Sequence, residues 1–367
     1  MAIPLLDLKS QYLDLKDELD AAIAEVMQNA AFIGGPRVQE LEEAIAAYCH
    51  TKYAVACASG TDAIIMGFEA MGIGRGDEVI TSPFSFFATS EGIARVGATP
   101  VFVDIEPDTY NIDPAKVGEA ITGRTKAIMP VHIFGQPADM DAIHVLADRR
   151  HIFVVEDACQ AIGAEYEGKR TGSLGRWGAF SFFPSKNLGG AGDGGIITTD
   201  DEQIAQAVRM LRSHGSQRKY INEVLGHNSR LDALQAAILL VKLPHLDHWN
   251  GQRRVAAAVY DELLADTPVV TPAVRAWAHH VYHLYIVRVP ERDPVIAAFK
   301  EAGIGTGVYY PYPLHLLPAH RDLGYESGSL PIAEDACQET LALPIFPGIT
   351  RAQQEEVVQV LLGAVAG

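Results

Sequence analysis

Gly178-Ala-Phe-Ser-Phe-Phe-Pro-Ser-Lys186-Asn-Leu-Gly-Gly-Ala-Gly-Asp-Gly-Gly195 is the stretch from which the fold and the chemistry are read. It sets one lysine, Lys186, between an aromatic run with the character of a buried strand and a loop too rich in glycine to be covered by anything bulky. Placing an ammonium under close-packed backbone costs several kcal/mol unless it is paired or made covalent, and Schiff-base lysines are one outcome. A Ser-Lys-Asn before glycines also reads as an ordinary turn. The rest of the chain decides between the two.

Outward from the lysine, short apolar runs alternate with helical patterns. Toward the N-terminus, the spacing of Val38, Leu41, Ile45 and Tyr48 predicts an amphipathic helix over Pro36 to Cys49, after a break at Gly34-Gly35-Pro36. A helix is also expected from about Leu13 to Met27. Tyr53 to Ala58 then reads as a strand, Ser59-Gly60-Thr61 as a small-residue turn, and Asp62 to Met71 as a helix. That order gathers free backbone N–H groups and the positive end of a helix dipole around Gly60 and Thr61, which makes an anion seat. The same tripeptide can also serve only to cap the helix. Alternation continues through Glu78 to Thr81, Ala88 to Val96, Thr99 to Val103, Pro114 to Ile121, Ala127 to Ile133, Met140 to Asp148 and Ile152 to Glu156. Short buried strands between helices of about ten residues predict an α/β fold with a mostly parallel sheet sandwiched by helices. Ligands in such sheets lie at the carboxyl ends of the strands, where Ser59, Phe86 and Asp157 fall.

Beyond the lysine loop, Gly195 to Thr199 reads as a strand, and Glu202 to Ser213 and Leu231 to Tyr260 as helices, the second broken near Leu243-Pro244-His245. The break divides the chain into an expected large cofactor-binding domain, residues 1–244 with an N-terminal arm, and a smaller C-terminal α+β domain, residues 245–367. In the latter, His279 to Pro290 and Gly305 to Tyr309 read as strands, and Asp293 to Ala302, Ile332 to Thr340 and Arg351 to Val365 as helices.

Composition narrows the function. The chain has 367 residues and a formal charge of −17, which repels nucleic acid and anionic membrane surfaces, so neither is an expected partner. No apolar run is long enough to span a bilayer, and the N-terminus lacks the basic region of a secretory signal, so a cytoplasmic protein is expected. Four scattered cysteines suggest neither a metal knuckle nor a disulfide framework.

Ser59-Gly60-Thr61, Asp157 and Lys186 together meet the requirements of pyridoxal 5′-phosphate. Its phosphate needs a helix N-terminus, its pyridine nitrogen a carboxylate that keeps it protonated, and its aldehyde an amine. With these residues in this order, the chain resembles the DegT-type sugar aminotransferases, pyridoxal-phosphate enzymes of the aspartate-aminotransferase fold. The segments that carry the resemblance are Ala58-Ser59-Gly60-Thr61-Asp62-Ala63, Asp104-Ile105-Glu106-Pro107, Glu156-Asp157-Ala158-Cys159-Gln160, Ser181-Phe182-Phe183-Pro184-Ser185-Lys186-Asn187 and Asn228-Ser229-Arg230-Leu231-Asp232, with Tyr309-Tyr310-Pro311 in the smaller domain.

The resemblance implies that Lys186 forms the imine with the cofactor and shuttles the proton, while Asp157 pairs with the ring nitrogen. It implies further that Gly60, Thr61 and Ser181 hold the phosphate, with Ser59 also among the cofactor-binding residues, that Phe86 stacks on the ring, Gln160 lies near the ring hydroxyl, and Asn228 reaches the phosphate of the neighbouring subunit in a homodimer. Arg230, Tyr309, Tyr310 and His315 are the candidate substrate contacts. Histidine is frequent in the family where this chain has Tyr309. The implied activity is transfer of an amino group, with glutamate as the implied donor, to a keto-sugar nucleotide, in the first instance a 3-keto sugar. Two rivals remain: a sugar dehydratase of the same family, which typically replaces the lysine with histidine, and a pyridoxal-phosphate-binding regulatory protein.

Overall fold

The computed structural model describes residues 2–218 and 220–366. Its centre is a sheet whose strands run, in spatial order, Tyr53–Cys57, Gly195–Thr199, Gly178–Ser181, Glu156–Asp157 with Phe153–Val154 just before it, Thr125–Met129, Glu78–Thr81 and Thr99–Phe102. A parallel bridge between Val131 and Asp157 helps to knit the two halves together. The sheet is parallel except at Gly195–Thr199, which runs antiparallel to both neighbours. The exception has a local cause: no crossover helix lies between Gly178–Ser181 and Gly195–Thr199, and without a crossover a chain can only return antiparallel. The lysine loop is that return.

Helices cover both faces. On one, Phe180, Phe182, Leu188 and Ile196 pack with Leu41, Ile45, Ala236 and Leu239 from helices Pro36–Cys49 and Ala233–Lys242. On the other, Val55, Trp177, Ala179 and Ile197 pack with Ile64, Phe68, Ile204 and Val208 from helices Gly60–Ala70 and Glu202–Leu211. The pleat explains the division, because neighbours such as Ala179 and Phe180, or Ile196 and Ile197, must point to opposite faces.

The C-terminal region has its own core. Strands Tyr285–Arg288 and Thr340–Leu343 pair antiparallel, and Tyr285, Val287, Leu341 and Leu343 meet Tyr260, Phe299 and Val357 from the surrounding helices. Ile3 is buried in the same cluster and bridges to Ile304, so the N-terminal arm packs against the C-terminal unit.

Several expected elements differ. The first helical stretch is two helices, Leu8–Asp14 and Lys16–Asn29, with Leu15 between them outside helical geometry. Gly305 to Tyr309 is not a strand: it touches the sheet through one bridge, Gly307 to Ala342. The strand lies instead at Thr340–Leu343, where a helix end was expected. The long helix after Leu231 is interrupted by a single 3₁₀ turn, Leu243–His245, and resumes as Leu246–Leu264. No helix among the described residues is long and apolar enough to cross a membrane.

Candidate active site

A cavity of about 410 Å³ opens at the carboxyl ends of the strands and gathers Ser59, Gly60, Thr61, Phe86, Asp157, Gln160, Ser181, Lys186, Tyr309 and Tyr310. These residues come from separate segments, and the topology is what makes them neighbours. Lys186 sits in a tight turn in which its own N–H donates to Phe183 O at 2.8 Å. Gly189 is required there, since a Cβ at that position would stand 2.3 Å from Pro184 O. The side chain of Lys242 donates to Gly189 O and fastens the turn from behind.

Lys186 Nζ makes no hydrogen bond or ion pair among the described residues. Burial holds its pKa below the ordinary lysine value, partly opposed by Cys159 and Asp157 nearby. The neutral amine is therefore more accessible than in a surface lysine. Cys159 lines the same cavity, but burial, reinforced by the Asp157 charge, pushes its thiol well up. It stays protonated and does not compete as a nucleophile.

Asp157 ends its strand buried, with 4% of its surface exposed. Oδ2 accepts from Thr89 Oγ1 at 2.6 Å and Oδ1 from the Cys159 N–H at 3.2 Å. Thr89 spends its only proton on the carboxylate, so Ser85, 2.7 Å away, is the donor in the Ser85–Thr89 bond. The carboxylate is held at a fixed angle by these two donors, with lone pairs to spare toward the cavity.

The segment expected to seat an anion opens into the same cavity. Ser59 caps helix Gly60–Ala70, accepting from the Asp62 N–H, so the capping role is real and its hydroxyl is engaged. The N–H groups of Gly60 and Thr61 open the helix into the cavity. Around them the fit is close: a Cβ on Gly60 would lie 2.9 Å from both Cys159 Sγ and Ser181 Cβ, and one on Gly195 2.3 Å from Ser59 C and O. Such a cradle takes a compact tetrahedral anion against bare backbone. Phe86 is 61% exposed and lines the opening, a large apolar face free to cover a ring. Gln160 accepts from the Phe134 N–H at 2.8 Å and donates from Nε2 to Tyr310 Oη at 2.7 Å, tying the Tyr309-Tyr310 segment to the sheet.

Three expected site residues lie elsewhere in this chain. His315 is 1% exposed and its Nε2 is paired with Glu334 at 3.1 Å, among Phe102 and Tyr325, outside the cavity. Asn228 and Arg230 do not line the cavity either: Arg230 Nη2 donates to Asn228 Oδ1 at 2.6 Å, and Arg230 Nε is buried without a partner among the described residues. Ser229 between them faces inward, donating to Asp62 Oδ2 at 2.7 Å and accepting from the Ala58 N–H. The residues that sequence reading missed are Ser85, Thr89 and His283. The i, i+4 spacing of Ser85 and Thr89 beside Phe86 was a usable signal, whereas His283 lies in another part of the chain and gave none.

Comparison with known proteins places the chain in a family. The model of the DegT/DnrJ/EryC1/StrS aminotransferase family matches residues 13–362. A Geobacillus stearothermophilus protein named pleiotropic regulatory protein is 53% identical over 98% of this chain and 97% of its own. The dTDP-3-amino-3,4,6-trideoxy-alpha-D-glucose transaminase of Streptomyces venezuelae is 45% identical over 97% of this chain and 94% of its own. Among solved structures, S. venezuelae DesV in complex with a ketimine intermediate superposes with a TM-score of 0.97 at 44% identity, covering 100% of this chain and 99% of that one. NtdA from Bacillus subtilis with bound cofactor PMP superposes with a TM-score of 0.89 at 35% identity, covering 96% and 82%.

Proposed function

The chain belongs to the DegT/DnrJ/EryC1/StrS aminotransferase family, and on that premise we propose that it transfers an amino group from glutamate to the 3-keto group of a nucleotide-linked sugar. It is a pyridoxal-phosphate enzyme, and what supports the reading most is one observation: a half-buried Lys186 amine, with no hydrogen-bond partner among the described residues, shares a cavity with the buried Asp157 carboxylate and a glycine-lined helix N-terminus. When bound, the cofactor supplies an aldehyde that captures nitrogen and a protonated ring that withdraws electrons.

The chain's own residues supply the rest. In this reading the Gly60 and Thr61 N–H groups bind the phosphate, with Ser181 alongside. Asp157, oriented by Thr89 and the Cys159 N–H, holds the proton on the ring nitrogen. Phe86 covers one ring face and excludes water from it. Lys186 would take the proton from the donor's α-carbon on its Nζ lone pair and give it up to the carbon on the other side of the transferred nitrogen, and in the second half it would work in reverse. Tyr309 and Tyr310 line the opening through which a sugar would enter.

We place the protein in a homodimer with shared sites. The support is that Asn228 and Arg230 do not line their own cavity, and that the buried Arg230 Nε has no partner among the described residues of the chain. The apolar helix Ala233–Lys242 adds nothing to that case, because Ala236, Ala237 and Leu239 are buried inside their own protomer.

The dehydratase alternative loses support from the presence of lysine at 186. A regulatory role matches the name of the Geobacillus relative, but a charge of −17 opposes contact with nucleic acid. The test is an assay of the loaded enzyme on a panel of dTDP- and UDP-linked 3-keto and 4-keto sugars with glutamate. Amination confined to the 3-keto members supports the proposal, and amination confined to the 4-keto members overturns the position assigned.

A further inference from the structure

Asn187, next to Lys186, is the middle of a hydrogen-bond chain that can run in only one direction. Asn250 Nδ2 donates to Ile162 O at 3.2 Å, and Asn250 Oδ1 accepts from Asn187 Nδ2 at 2.8 Å. Asn187 Nδ2 also donates to Val281 O at 3.1 Å. Backbone carbonyls only accept, so both amides are fixed in orientation. Asn187 Oδ1 is then an acceptor, and its partner at 3.2 Å, His283 Nδ1, must carry the proton. The second nitrogen of that ring, Nε2, is left as a bare lone pair.

His283 is buried, lines the cavity together with Lys186, and has no partner at Nε2 among the described residues. Three effects keep the ring neutral: its burial, then the Lys186 and Arg253 cations, which together hold it well below the usual histidine range. Arg253 does not compete for the lone pair, because its Nη1 is engaged with the backbone carbonyls of Tyr282, His283 and Ile345.

We propose that His283 is a positioning residue for Lys186: the amine, which makes no hydrogen bond among the described residues, turns to donate one to the Nε2 lone pair, and this aims the amine's own lone pair at the carbon from which it takes a proton. During transfer Lys186 gains one proton and gives one up, and His283 begins and ends neutral. The proposal rests on the reading of Lys186 as the proton carrier, and its first test does not depend on turnover.

Two substitutions separate positioning from scaffolding. His283→Asn keeps an amide donor for Asn187 but ends short of the cavity, whereas His283→Gln gives up that bond and carries an amide oxygen toward the position of Nε2. In the full-length chain before cofactor is added, the pH dependence of Lys186 acetylation by acetic anhydride, read by mass spectrometry, gives the titration of its amine. Loss of an acceptor destabilises the ammonium, so His283→Asn should lower the Lys186 midpoint by about one pH unit and His283→Gln should leave it near wild type. After loading, His283→Asn should lower kcat about tenfold with KM within about twofold. An unchanged Lys186 titration in His283→Asn would overturn the proposal and leave His283 as a brace for Asn187. If the variant does not fold, the ¹⁵N spectrum of wild-type histidines decides: a proton on Nδ1 and an Nε2 signal that shifts on Lys186→Ala are expected, and an Nε2–H tautomer or an unmoved signal refutes it. A failure of amino transfer with the titration as expected would count against the aminotransferase reading and not against this contact.

Discussion

Gly195→Ala adds a single methyl group at the base of the proposed phosphate seat, and the structure sets the size of the disturbance. The new Cβ would stand 2.3 Å from Ser59 C and O and 2.6 Å from Gly60 N. Carbon contacts relax only near 3.5 Å, so something must give by about 1 Å. Gly195 cannot retreat, because its strand is paired on both sides, with Cys57 and with Ser181. The Ser59–Gly60 peptide must therefore move, and with it the N–H that opens the helix. Losing one hydrogen bond to a charged phosphate is worth about 1.5–3 kcal/mol, which corresponds to a tenfold to hundredfold weaker dissociation constant. The assay is a fluorescence titration of the cofactor-free chain with pyridoxal 5′-phosphate and, in parallel, with pyridoxal, which lacks the phosphate. Binding of the first should weaken by that factor while binding of the second stays within about twofold. Gly123→Ala, where a Cβ meets nothing within 4 Å, is the control. Equal losses for both ligands, or no loss for either in a protein with native circular dichroism, would refute the assignment of the seat.

Asp157→Asn keeps the shape of the site but removes the charge, and it should cut transfer about a hundredfold to a thousandfold while the cofactor still binds; a loss under tenfold would reduce Asp157 to a packing role. Lys242 is held down to about 8 by burial, against 10.5 for an ordinary lysine. Between those values the unfolded chain binds more protons, so this residue makes stability rise with pH across that window. Denaturant midpoints of wild type and Lys242→Met should diverge there, and parallel curves would contradict the assignment. Inactive Lys186→Ala and inactive Asn228→Asp/Arg230→Ala chains, refolded together, should regain part of the activity through hybrid dimers. No rescue, in samples shown by mass to contain the hybrid, would mean that each site is complete within one chain.

The elements legible in the sequence were those with local punctuation. Helix Pro36–Cys49 begins with a proline at its first turn, and Met140–Asp148 begins after Asp139, whose carboxylate accepts from the Ala142 N–H. Such signals act within one turn and need no tertiary context. Thr340–Leu343 was misread because its partner, Tyr285–Arg288, is remote in sequence, and nothing local separates a four-residue apolar strand from a helix end. The site divides in the same way. Lys186, Asp157 and Ser59-Gly60-Thr61 lie in segments with distinctive neighbours, and the sheet brings them together as expected. His315 lies close in sequence to Tyr309 and Tyr310, but its environment is set by Glu334 from a helix that follows. His283 escaped notice because its meaning lies in a bond to Asn187, 96 residues away.

The central claim is that Lys186 carries nitrogen chemistry from an amino acid to a sugar, and following the nitrogen atom tests it directly. With ¹⁵N-glutamate and a 3-keto sugar nucleotide, the loaded enzyme should yield a sugar nucleotide bearing ¹⁵N at carbon 3, and Lys186→Ala should yield none. A product without the label, a product lacking a hydroxyl instead of bearing an amine, or wild-type turnover by Lys186→Ala would contradict the account.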